Sequence, residues 1–104
     1  MSDSSSGPEL SLREKINLET AQINWLDLQT FYARGQVVVV SDLLDLVDVA
    51  VKLREDDSAQ FEKWLEEGAV SYVKDEQALQ WYEAKKSLWA VVVLPWVLVQ
   101  DKVS

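Results

Sequence analysis

The stretch Leu88-Trp-Ala-Val-Val-Val-Leu-Pro95-Trp96-Val-Leu-Val-Gln100 decides how the rest of the chain is read. From Leu88 to Val99 it holds 12 residues without a single charge. A membrane-spanning helix needs roughly 20 apolar residues, and runs of about 10–14 usually form buried core. The density of valine favours strand over helix. Pro95 cannot donate a ladder hydrogen bond, so the run is expected to split there into strands 88–94 and 96–100; one long kinked strand is the alternative. A half-exposed strand would alternate apolar with polar more clearly, which places this region at the centre of the sheet.

Working outward, two more short strands stand ready to pair with it, the four β-branched residues Val37 to Val40 and Val70 to Val73 with Tyr72 inside. Between them lie segments with helical spacing. Leu12, Ile16 and Ile23 suggest a first helix over about 10–21. Asn24 then reads as an N-cap, with Leu28, Phe31 and Tyr32 forming an i, i+3, i+4 face that Gly35 ends. Ser41 and Asp42 are cap candidates for a helix running to about Arg54, with Leu46, Val49, Ala50 and Leu53 as its apolar stripe. Asp57 or Ser58 starts the next, which carries Phe61, Trp64 and Leu65 and stops at Gly68. Asp75 is expected to cap a last helix containing Ala78, Leu79, Trp81 and Tyr82. The resulting expectation is an α+β fold: about five helices on a small three- to four-stranded sheet, with residues 1–9 as a disordered lead-in and 10–104 as one globular domain.

A shift of 33 residues lays Leu28, Phe31, Tyr32, Gly35, Val37 and Val40 onto Phe61, Trp64, Leu65, Gly68, Val70 and Val73. An internal helix-strand-helix duplication would produce this match. So would the common grammar of helix stops and caps, which repeats wherever a helix feeds a strand.

Composition narrows the chemistry. Ten Lys and Arg against 18 Asp and Glu leave a formal charge of −8, which opposes attraction to nucleic acid and to anionic lipid. There is no Cys and no His, so disulfides, ordinary zinc sites and Ser-His or Cys-His nucleophiles are excluded. The three glycines, Gly7, Gly35 and Gly68, do not cluster, which argues against a phosphate-binding loop. No cofactor is implied, and the balance leans away from an enzyme. The N-terminal Met1-Ser-Asp-Ser-Ser-Ser-Gly-Pro8 has no apolar core and is not a signal peptide, so a cytoplasmic location is expected.

Two groups of residues remain as site candidates. Asp42, Asp45 and Asp48 recur every third residue and could share a hard divalent cation or act as paired carboxylates in an enzyme. Helix capping, the helix dipole and an Asp48–Lys52 pair account for the same spacing without any metal. The second group is tryptophan: five in 104 residues, at 25, 64, 81, 89 and 96. Trp64 and Trp81 lie on helix faces expected to be core. Trp89 would share one strand face with Val91 and Val93, and Trp96, following Pro95, is the one expected to be partly exposed. Tryptophan anchors interfaces, so Trp96 and Trp89 are the candidate interaction residues.

The segments Leu18-Glu-Thr-Ala-Gln-Ile-Asn-Trp25, Leu44-Asp-Leu-Val-Asp-Val-Ala50, Asp75-Glu-Gln-Ala78 with Trp81, and above all Pro95-Trp96-Val-Leu-Val-Gln100 resemble a family of small bacterial cytoplasmic proteins of unknown function. The resemblance spans about 12–100. It implies a stand-alone domain without an assigned activity and transfers no catalytic residue. The function expected is therefore an acidic interaction module that binds another protein or itself as a homo-oligomer. A carboxylate- or metal-dependent enzyme and an acidic mimic of nucleic acid are the alternatives.

Overall fold

A computed structural model describes residues 10–101; the expected N-terminal lead-in, 1–9, lies outside the described residues. The first helix, α1 (Leu12–Glu19), opens with a reciprocal capping box in which Ser11 Oγ accepts from the Glu14 N–H and Glu14 Oε1 accepts from the Ser11 N–H. It stops earlier than its apolar spacing suggests. Thr20 turns extended, and its hydroxyl donates to the Ile16 carbonyl at 2.8 Å.

The chain then forms β1 (Ala21–Asn24) and a 3-10 turn over Trp25–Leu28, capped by Asn24 Oδ1 on the Leu26 N–H. Helix α2 (Gln29–Ala33) follows, ended by Gly35 at φ 69°. Next come β2 (Val37–Val40), α3 (Leu46–Arg54), α4 (Ser58–Glu67), β3 (Val70–Tyr72) and α5 (Asp75–Glu83). The long apolar run closes the fold as β4 (Ser87–Val93) and β5 (Trp96–Gln100). They form a hairpin that turns at Leu94 and Pro95, joined by a cis peptide bond.

The sheet has five strands in the order β1-β4-β5-β2-β3, not the three or four expected. The added strand is β1, which pairs antiparallel with β4 from Ala21↔Ala90 to Asn24↔Ser87. Strand β5 is central as expected, antiparallel to β4 and parallel to β2, while β1 and β3 form the edges. Both faces are covered. Residues from α1, α3 and α4 pack on Val38, Val40, Val91, Val93 and Leu98. On the other face the 3-10 turn and α5 bury Trp25, Leu28 and Trp81 against Val37, Ala90, Val97 and Val99. Two-sided burial explains why β2, β4 and β5 read as nearly continuous apolar runs.

The 33-residue correspondence survives only as local grammar. Gly35 and Gly68 both stop helices at positive φ ahead of a strand. Yet β2 and β3 pair antiparallel, and matched residues face opposite cores: Val37 packs on the Trp25 side and Val70 on the Ile16 side. A twofold relating antiparallel neighbours would keep matched residues on one face.

Two caps differ from expectation. Helix α3 is capped by Asp45 rather than Ser41 or Asp42, and Asp75 opens α5 as its first residue, leaving Lys74 in the cap position. Gln100, at the end of the apolar run, is 3% exposed. Its Nε2 donates to the carbonyls of Ser41 (2.9 Å) and Leu44 (2.8 Å), pinning the loop between β2 and α3 to the central strand.

Candidate functional site

Two of the three aspartates serve a helix cap and an ion pair. Asp45 Oδ1 accepts from the Val47 and Asp48 N–H groups as the N-cap of α3. Its other oxygen lies 3.3 Å from Arg13 of α1, and the same guanidinium also pairs with Asp48. The cation to which these two carboxylates converge is thus the protein's own arginine. Asp42 stands apart, exposed in the loop before the helix. Among the described residues no group of three or more His, Cys, Asp or Glu side chains is placed to hold a metal ion.

The tryptophans divide differently from their sequence positions. Trp25 is fully buried, with the Trp81 ring at 5.0 Å in a T-shaped contact. Trp64 is half-buried, as is Trp96, while Trp89 is the most exposed of the five at 37%. Trp96 is partly exposed, and the edge strand β3 brings Tyr72 alongside it, ring centroids 6.0 Å apart and planes inclined by 48°. Sequence reading placed Tyr72 in a strand but could not pair it with Trp96, 24 residues away and one strand removed.

These two rings form one wall of a groove of about 370 Å³ that opens between the α3–α4 junction and the sheet. Leu53, Phe61 and Leu65 supply its apolar floor. Asp56, Glu62 and the Ser58 hydroxyl line it as well, with both carboxylates exposed. No Lys or Arg lines the groove, and among the described residues neither Asp56 nor Glu62 joins an ion pair. Asp56 adopts φ 60°, a left-handed conformation that Asp tolerates better than most side chains, and this holds the turn between the two helices. The groove therefore combines two aromatic faces, an aliphatic floor and unbalanced negative charge.

A family model described as "Protein of unknown function (DUF2288)" matches residues 11–101. The chain belongs to this family. The match covers nearly all of the described fold, in keeping with the resemblance carried by the Pro95-Trp96-Val-Leu-Val-Gln100 ending. The DUF2288 chain is also similar to a solved structure titled "NMR solution structure of PA1075 from Pseudomonas Aeruginosa". The two share 40% identity over 95% of this chain and 92% of that one, with a TM-score of 0.77. No curated protein matches the chain. Neither comparison assigns an activity to the family, so function must be argued from the surface. Among the described residues no helix is long and apolar enough to cross a membrane.

Proposed function

We propose that this DUF2288 protein is an interaction module, and that the Tyr72–Trp96 groove receives a segment of another protein carrying basic and apolar side chains. The observation behind this reading is the placement of two partly open aromatic rings beside two exposed carboxylates, Asp56 and Glu62. Tryptophan and tyrosine dominate interface hot spots, and their π faces attract Lys and Arg cations. An aliphatic side chain of the partner would fill the floor over Phe61 and Leu65. Strand β3 adds a second means of contact, since it is an edge strand whose outer backbone groups are open to an extended peptide. A second copy of the chain is a poorer occupant, because it brings a formal charge of −8 to an already acidic rim.

Selection of phage-displayed random peptides on the full chain tests the proposal. Enriched peptides should combine Lys or Arg with Leu, Ile or Phe, lose binding on Trp96→Ala and on Tyr72→Ala, and weaken as salt is raised. Enrichment of acidic peptides, or binding indifferent to both variants, would overturn it. So would a concentration-dependent dimer in sedimentation that disappears with Tyr72→Ala, which would place a second copy in the groove.

A further inference from the structure

A second groove, of about 460 Å³, lies on the same sheet face between the C-terminal end of α1 and the N-terminal end of α3. Asn17 and Thr20 line it from α1, Asp45 and Leu46 from α3, and Trp89 and Gln100 from the sheet. The register explains how the last two come together. Trp89 of β4 lies directly opposite Gln100 of β5 and, on its other side, opposite Gln22 of β1. Directly opposed residues share a face, so an indole is flanked by two amides in one row across three strands.

The hydrogen-bonding capacity left in this groove is specific. Gln100 uses Nε2 on the Ser41 and Leu44 carbonyls, which leaves Oε1 as an acceptor that takes no hydrogen bond from the described residues. Gln100 lines the groove although the residue as a whole is only 3% exposed. Asn17 is exposed and offers both an amide donor and an acceptor. The Thr20 hydroxyl donates to Ile16 and keeps its lone pairs. The one charged group, Asp45, is already matched by Arg13 and by the start of α3.

We infer that this groove binds an uncharged sugar ring, laid with its C–H face on the Trp89 indole and its hydroxyls on Asn17, Thr20 and Gln100 Oε1. A pyranose needs this combination: a flat apolar platform for one face, and neutral donors and acceptors around its edge. An anionic ligand would meet Asp45 in a groove that no Lys or Arg lines, on an acidic protein. A cationic one would have to displace Arg13 from Asp45.

The test is a nitrogen–proton NMR titration of the full chain with glucose, galactose, mannose and N-acetylglucosamine, with adenosine and glucose 6-phosphate as contrasts. At least one neutral sugar should shift the Trp89 indole N–H resonance saturably. Trp89→Ala and Asn17→Ala should each weaken that sugar by about tenfold or more, equivalent to at least ~1.4 kcal/mol. Both residues are exposed, and well-dispersed spectra of the variants would show that the fold is intact. The inference is overturned if no sugar shifts the indole, if binding survives both variants, or if adenosine or the phosphorylated sugar binds more tightly than every neutral sugar. This groove is separate from the Tyr72–Trp96 surface, so either reading can fail without the other.

Discussion

The Tyr32 hydroxyl donates a hydrogen bond to Asp75 Oδ1 at 2.5 Å, tying α2 to the first residue of α5 across 43 positions of sequence. The two helices flank the buried Trp25, whose ring lies 5.4 Å from that of Tyr32. Chiefly through the hydrogen bond to Asp75, and then through desolvation and the carboxylate's charge, the phenol pKa is raised above its ordinary value of 10.0. A raised pKa means the folded protein holds the proton more tightly than the unfolded chain. The bond's contribution is therefore complete below the unfolded pKa and lost as pH rises through the folded one. Tyr32→Phe should lower Tm at neutral pH. The gap between wild type and variant should narrow in thermal melts taken progressively above pH 10, and a gap that widens there would contradict this account.

Gln100 is the polar residue that the central strand cannot replace. Changing it to Glu keeps the size but removes both N–H donors, leaving the Ser41 and Leu44 carbonyls facing a carboxylate. An unsatisfied buried polar group costs about 1–3 kcal/mol, so Gln100→Glu should cost at least about 2 kcal/mol in urea denaturation. Part of that loss should return at low pH, where a protonated carboxyl regains one donor.

Much of this fold was legible because burial on both faces writes itself as uninterrupted valine. That pattern located β2, β4 and β5, and Pro95 located the turn between the last two. Strand β1 was not legible. Ala21-Gln22-Ile23-Asn24 is an edge strand, exposed at Ala21 and Gln22, and its pairing with β4 compensates for residues that carry no strand pattern of their own. The cap of α3 was missed because four oxygen-bearing side chains, at 41, 42, 45 and 48, compete locally. The choice among them depends on Gln100 holding the loop and on Arg13 meeting Asp45 from another helix. Both grooves were illegible for the same reason. Tyr72 with Trp96, and Trp89 with Gln100, become neighbours only through strand pairing across the sheet.

The aspartate triplet can be resolved by stability. Asp45→Ala removes the N-cap of α3 and should cost about 1 kcal/mol, the usual worth of such a cap. Asp42→Ala, in the exposed loop, should stay within about 0.5 kcal/mol of wild type. Because Arg13 already sits between Asp45 and Asp48, Mg²⁺, Ca²⁺ or a chelator should leave Tm unchanged. A rise in Tm with either ion that Asp45→Ala abolishes would restore the metal reading.

Trp25 presents two opposing effects whose balance a single substitution can measure. The side chain is fully buried, and its Nε1–H has no hydrogen-bond partner among the described residues. Truncation to Ala removes the ring from between Tyr32 and Trp81 and should cost about 3–5 kcal/mol. Trp25→Phe removes less volume and also removes the orphaned donor, whose burial without a partner carries a penalty of about 1–3 kcal/mol. The cavity and the relieved N–H act in opposite directions, so Trp25→Phe should cost less than about 2 kcal/mol by urea denaturation. A loss close to that of the alanine variant would mean that the indole N–H is not an orphan in energetic terms.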